Sequence, residues 1–131
     1  MTRLRNCMRS PVRVFIVEDS PLIRKRIIDN LHALGGFDVV GFAEAESPAV
    51  AAIVEMEPDV VVTDIRLKEG NGIEVVRQLR QKAFASRPKI YVLSNYANAE
   101  YRRQCELVGA DDFFDKSGEY DRFLETLQQV S

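Results

Sequence analysis

The chain has 131 residues, 46% of them hydrophobic, and a formal net charge of −2 at pH 7. This suffices for one domain with a proper core and is too little for two, and a faintly acidic balance argues against unaided nucleic-acid binding, which needs a basic face to displace counterions. No apolar run approaches the ~20 residues that cross a bilayer, and the first ten residues lack the apolar segment of a secretory signal, so a cytoplasmic protein without membrane or direct nucleic-acid contacts is expected.

Residues 1–11 read as a flexible basic tail carrying Arg3, Arg5 and Arg9, and residues 12–131 as the folded domain. Met8 is a second candidate translational start. Cys7 in the tail, and Cys105 on a helical stripe with Tyr101 and Val108, read as a tail thiol and a small core filler rather than a disulfide or metal pair. Val12–Val17 is a predicted strand that runs into the acidic pair Glu18-Asp19. Ser20 then caps a helix with Pro21 at its first position. Ile23, Ile27, Leu31 and Leu34 share the apolar face of that helix, His32 lies off it, and Gly35-Gly36 ends it. Phe37–Ala43 is a second strand, followed by Ser47-Pro48, which repeats the capping device, and a short helix with Val50, Ile53 and Val54 inward.

Val60, Val61 and Val62 are β-branched and do not alternate with polar residues, which predicts a strand buried on both faces. Counted from Asp59 it carries the backbone ~20 Å and leaves Asp64 at its carboxyl end. A loop through Arg66, Lys68, Gly70 and Asn71 leads to a helix from about Gly72, with Ile73, Val76 and Leu79 inward. Lys89–Leu93 is the fourth strand, with Tyr91 in the core, and it stops at Ser94. A helix from about Asn98 closes at Gly109, Asp112–Asp115 is a short fifth strand running into Lys116, and a last helix from Ser117 buries Tyr120, Phe123, Leu124 and Leu127. Strands alternating with helices predict an α/β, doubly wound, five-stranded parallel sheet, because parallel neighbours need crossover helices.

Ligands of such sheets bind outside the carboxyl ends of the strands. If the strand order is 2-1-3-4-5, the first and third strands are neighbours and Glu18, Asp19 and Asp64 converge there, with Ser94 and Lys116 delivered to the same edge. Crowded carboxylates either raise their pKa or recruit a cation, and oxygen-only ligands select a hard ion such as Mg²⁺. The roles that phosphoryl-transfer chemistry assigns are Asp64 as nucleophile, Asp19 and Glu18 on the metal with the backbone carbonyl of Arg66, Lys116 as a point charge, and Ser94 as hydrogen-bond donor. Each residue alone also has a plain reading: Asp64 as a turn acid, Glu18-Asp19 as helix-capping acids, Ser94 and Lys116 as ordinary loop residues. A magnesium phosphatase is disfavoured, because Arg66 stands where a second general acid two residues beyond Asp64 would be needed.

Val17-Glu18-Asp19-Ser20-Pro21, Asp64 with Gly72 eight residues on, Leu93-Ser94, Gly109-Ala110-Asp111 and Lys116 together resemble the receiver domain of two-component response regulators, over about Val12 to Val130. The strand order is taken by analogy from the flavodoxin-like sheets, for which a chemotaxis receiver is itself a standard example. The resemblance implies a sensor histidine kinase or phosphotransfer protein as phosphoryl donor to Asp64, Mg²⁺ as cofactor, and an unidentified downstream protein. It also implies a switch in which Ser94 moves toward the phosphoryl group and Phe113 turns inward, with Phe114 facing the other way, and it leaves room for a homodimer formed on phosphorylation. It describes a stand-alone phosphoacceptor that can label itself from small donors and dephosphorylate itself, not a turnover enzyme. Three positions depart from the family pattern: Lys68 and Ser117 replace prolines, and Asn95 replaces a small residue. These departures keep a second reading open, an interaction module on a receiver scaffold that does not cycle phosphate.

Overall fold

A computed structural model describes residues 10–130. The arginine-rich tail, Cys7 and Met8 lie outside the described residues, apart from the exposed Ser10 and Pro11. Five strands, β1 (Val12–Val17), β2 (Phe37–Ala43), β3 (Val60–Thr63), β4 (Lys89–Ser94) and β5 (Asp112–Asp115), alternate with helices α1 (Pro21–Leu34), α2 (Glu46–Met56), α3 (Gly72–Arg80), α4 (Ala99–Val108) and α5 (Tyr120–Gln128). The sheet is parallel in the order β2-β1-β3-β4-β5, the expected flavodoxin-like receiver arrangement. Val17 pairs with Thr63, Thr63 with Val92, and Ser94 with Asp115, so the carboxyl ends of four strands are brought to one edge.

Each face of the sheet has its own core. On one face Phe15, Val17, Val61, Ile90, Val92 and Phe113 meet α2, α3 and α4. On the other, Val14, Ile16, Val62, Leu93 and Phe114 meet Ile27 and Leu31 of α1 and Phe123 and Leu127 of α5. Alternation along a strand forces this division, and it turns the adjacent Phe113 and Phe114 to opposite layers as expected. Tyr91 is buried beside Phe114, and Cys105 is a buried filler whose thiol is pushed up to about 11 by burial. His32 is exposed.

Local chemistry agrees with the sequence in most places. Ser20 Oγ accepts the Ile23 N–H at 3.3 Å, Asn71 caps α3 through the Glu74 N–H at 2.9 Å, and Asn98 caps α4 through the Tyr101 N–H at 2.8 Å. Ser47 is not the cap of α2. That helix begins at Glu46 after Ala45, because the Glu46 backbone N–H donates to Glu69 O and its carboxylate accepts from Asn71 N and Gln78 Nε2. Nor does α5 start at Ser117. Both the N–H and the hydroxyl of Ser117 donate to Asp115 Oδ1 at 2.9 Å, a side-chain turn that competes with helix and delays it to Tyr120. Strand β3 is shorter than the run counted from Asp59. Leu34 and Val54 are 38% and 37% exposed rather than inward, and Tyr120 and Leu124 are half-buried. Between β1 and β2 the register skips one residue: Val14 pairs with Val39, but Phe15 pairs with Gly41, leaving Val40 as a bulge. A side chain on Gly41 would come within 2.9 Å of the Phe15 ring.

Candidate functional site

Glu18 follows β1, Asp64 follows β3, Ser94 closes β4 and Lys116 follows β5. All four sit at the aligned carboxyl edge because the parallel register places them there. Lys116 Nζ donates to Glu18 Oε1 at 2.8 Å and to Asp64 Oδ2 at 2.7 Å. The Glu18, Asp64 and Lys116 side chains are only 3%, 8% and 10% exposed, so this charged triad is largely removed from water. Burial lowers the affinity of Lys116 for its proton, but hydrogen bonds and attraction to Asp64 and Glu18 outweigh it and hold the ammonium above its ordinary range. Burial pushes the Glu18 carboxyl up, and the Asp64 charge adds to that over the opposing pull of Lys116.

Asp64 is fixed on both sides. Its Oδ1 accepts the Ile65 N–H at 2.6 Å and its carbonyl accepts the Thr63 hydroxyl at 2.9 Å. Gly72 packs so closely that a Cβ there would lie 1.8 Å from the Asp64 carbonyl oxygen, while its N–H donates to Ile65 O at 2.7 Å. The spacing of Gly72 was visible in the sequence; this steric reason for it was not. Glu18 Oε2 accepts the Ser20 N–H at 3.1 Å, and Ser94 is fully buried with its Oγ accepting the Tyr96 N–H at 3.0 Å.

Asp19 is half-buried beside Glu18, and Arg66 is exposed in the loop after Asp64. Among the described residues no three His, Cys, Asp or Glu side chains form a group that could hold a metal ion. The expected three-carboxylate cluster is therefore not assembled as such: Glu18 and Asp64 meet through an ammonium that supplies the positive charge between them. The donor set still suits a hard cation in kind, being oxygen only and richer in negative than positive charge. Phe113 is already buried, with the Arg102 guanidinium 4.8 Å from its ring centroid.

Sequence reasoning missed the ties among the surrounding loops. Glu44 accepts from Lys68 Nζ and from Arg24 Nη1, each at 3.0 Å, and Arg24 Nη1 also donates to the Glu18 carbonyl at 2.8 Å. Lys68, which stands where the family pattern has a proline, is thus anchored by charge instead of by a ring. Charge pairs between residues 20 or more apart in sequence leave no local signal.

A family model described as response regulator receiver domain matches residues 14–128. The chain is 31% identical over 119 residues to the chemotaxis protein CheY of Thermotoga maritima, an alignment covering 91% of this chain and 97% of that one. It is 36% identical over 102 residues to the DNA-binding transcriptional activator DevR/DosR of Mycobacterium tuberculosis, covering 78% of this chain and 46% of that one. The chain spans about half the length of the first regulators it matches. Among solved structures it superposes on the response regulator domain of Thermotoga maritima CheB with a TM-score of 0.81 at 27% identity, covering 92% of this chain and 96% of that one. Receiver domains are signalling switches that accept phosphoryl groups from histidine kinases or phosphotransfer proteins, generally with Mg²⁺ at the site, and are not turnover enzymes. No helix among the described residues is long and apolar enough to cross a membrane. The chain belongs to the response regulator receiver domains of two-component signalling systems.

Proposed function

We propose that this chain is a phosphoacceptor switch in a two-component phosphorelay, with Asp64 as the acceptor. The observation that supports it best is the Lys116 ammonium held between Glu18 and Asp64 at 2.8 and 2.7 Å in a largely buried pocket. An ammonium placed there is ready for the charge of an incoming phosphoryl group, and phosphoryl transfer is chiefly a matter of positioning and charge neutralisation.

In transfer from a phosphohistidine, an O–P bond forms at the Asp64 carboxylate while the donor P–N bond breaks, its electron pair remaining on the imidazole nitrogen. The Ile65 N–H keeps the carboxylate oriented through Oδ1. Lys116 shifts its hydrogen bond from Asp64 Oδ2 to a phosphoryl oxygen, and Ser94 turns its hydroxyl toward another. Asp19 and Asp64, with Glu18 directly or through water and the Arg66 carbonyl, would hold Mg²⁺, which supplies further positive charge against the phosphoryl oxygens. Residues 12–131 act as the receiver unit, working in the cytoplasm beside the kinase or phosphotransfer protein, and signal to a downstream protein through the α4, β5 and α5 surface around Phe113.

Incubation with a small acyl-phosphate donor and Mg²⁺ labels the protein on a hydroxylamine-sensitive bond, and Asp64→Asn abolishes the label. Label that persists on such a bond in the variant overturns the assignment. A second reading, a constitutive interaction module, is favoured by Phe113 being packed inward in the bare protein. It requires equal partner affinity with and without phosphorylation, and a large difference removes it.

A further inference from the structure

Ser94 is fully buried at the end of β4, and its hydroxyl oxygen is turned toward its own loop, where it accepts the Tyr96 N–H at 3.0 Å. Tyr96 is 39% exposed, and the guanidinium of Arg66 lies over its ring, 4.4 Å from the centroid. Arg66 comes from a different segment, the loop after β3 that follows the acceptor. Its backbone there pairs with Asn71 in an isolated antiparallel bridge. Asn71 is itself held by Glu46 and caps α3. A cation on a braced backbone thus grips the ring whose own amide engages the hydroxyl of Ser94.

We propose that the Arg66–Tyr96 stack is a latch that stabilises the resting position of Ser94 and opens when Ser94 turns to a phosphoryl group on Asp64. This rests on the phosphoacceptor reading and deepens it. The side chains of Arg66 and Tyr96 are positioning groups that act through Ser94. Rotation of the hydroxyl toward the acceptor gives up the Tyr96 N–H bond, and the loop carrying Tyr96 moves only if the ring slides from under the guanidinium. A contact made in one of two states biases the equilibrium between them by its own strength. A guanidinium over a partly exposed ring corresponds to about a two- to five-fold bias.

The test uses beryllofluoride with Mg²⁺ as a phosphoryl analogue and reads its affinity by titration. Arg66→Gln and Tyr96→Leu should each tighten uptake about two- to five-fold. Tyr96→Phe, which keeps the aromatic face, should match the parent, and the double variant Arg66→Gln with Tyr96→Leu should be no tighter than either single one. In the bare protein, the Tyr96 and Ser94 amide resonances should move in Arg66→Gln and stay in place in the control Arg77→Gln. Unchanged or weaker uptake in the single variants, additive effects in the double variant, or a Tyr96→Phe protein that behaves like Tyr96→Leu would each overturn the latch. If the parent takes up no analogue, the phosphoacceptor reading fails and the latch falls with it, whereas uptake by the parent that the variants leave unaltered overturns the latch alone.

Discussion

At Lys116 a single ammonium satisfies two carboxylates that are almost fully withdrawn from water. Removing one partner of a buried charge group strands the others, so Lys116→Met should lower stability by about 3 kcal/mol at neutral pH, measured by urea unfolding. The deficit should shrink in acid, because the Glu18 carboxyl is raised and the folded variant gains from taking up a proton there. In the parent the sign runs the other way at the alkaline end. The folded-state value of Lys116 lies above the ordinary 10.5, so its contribution is complete below that pH and is lost as pH rises through the folded-state value. The acids, the hydroxyl and the lysine were legible in the sequence because residue type and order along the strands carry them. What was not legible is that the lysine already occupies the space between two of the acids, since that depends on side-chain packing from segments 52 and 98 residues away.

The start of α3 shows how an element holds the acceptor. Gly72 lies against the carbonyl of Asp64 with no room for a Cβ, so Gly72→Ala must push the helix or the acceptor loop aside. A loss of about 2 kcal/mol in denaturant unfolding is expected, together with slower phosphorylation of Asp64 in the folded protein. The loop between them is braced from α2 and its approach, where Glu46 holds Asn71 and Gln78, and Glu44 holds Lys68 and Arg24. The start at Ser20 was readable because a short polar side chain followed by proline before an apolar stripe has a local mechanism. The helices from about Gly72 and Asn98 were placed without the caps that Asn71 and Asn98 supply. Ser47 and Ser117 looked alike in the sequence but were outcompeted. A neighbouring carboxylate paired across space sets the first start, and the Asp115 side chain captures Ser117 at the second.

Across the whole molecule, two apolar layers are separated by the sheet, and only one of them contains Phe113 and the helix α4 beside it. Phe114 belongs to the other layer, edge-on to Tyr91 and Phe123 with centroids 6.0 and 5.6 Å away. Phe114→Ala should therefore cost about 3–5 kcal/mol in urea unfolding, while the protein that remains folded still accepts phosphate at Asp64 with the parent's dependence on Mg²⁺. Strand number and the inward faces of most elements followed from periodicity. Strand order came from family likeness, because apolar β-branched runs say nothing about which neighbour they choose. The bulge at Val40 went unread, although Gly41 inside the strand run is a local cue for one, and it falls on the edge strand β2. Phe15 stands opposite Gly41, so the ladder of β2 is interrupted, and the Arg24 guanidinium lies 4.0 Å from the centroid of the exposed Phe42 on the same strand. An interrupted margin is a poorer template for a second chain than an even one, which is one way an open-ended sheet limits edge-to-edge pairing.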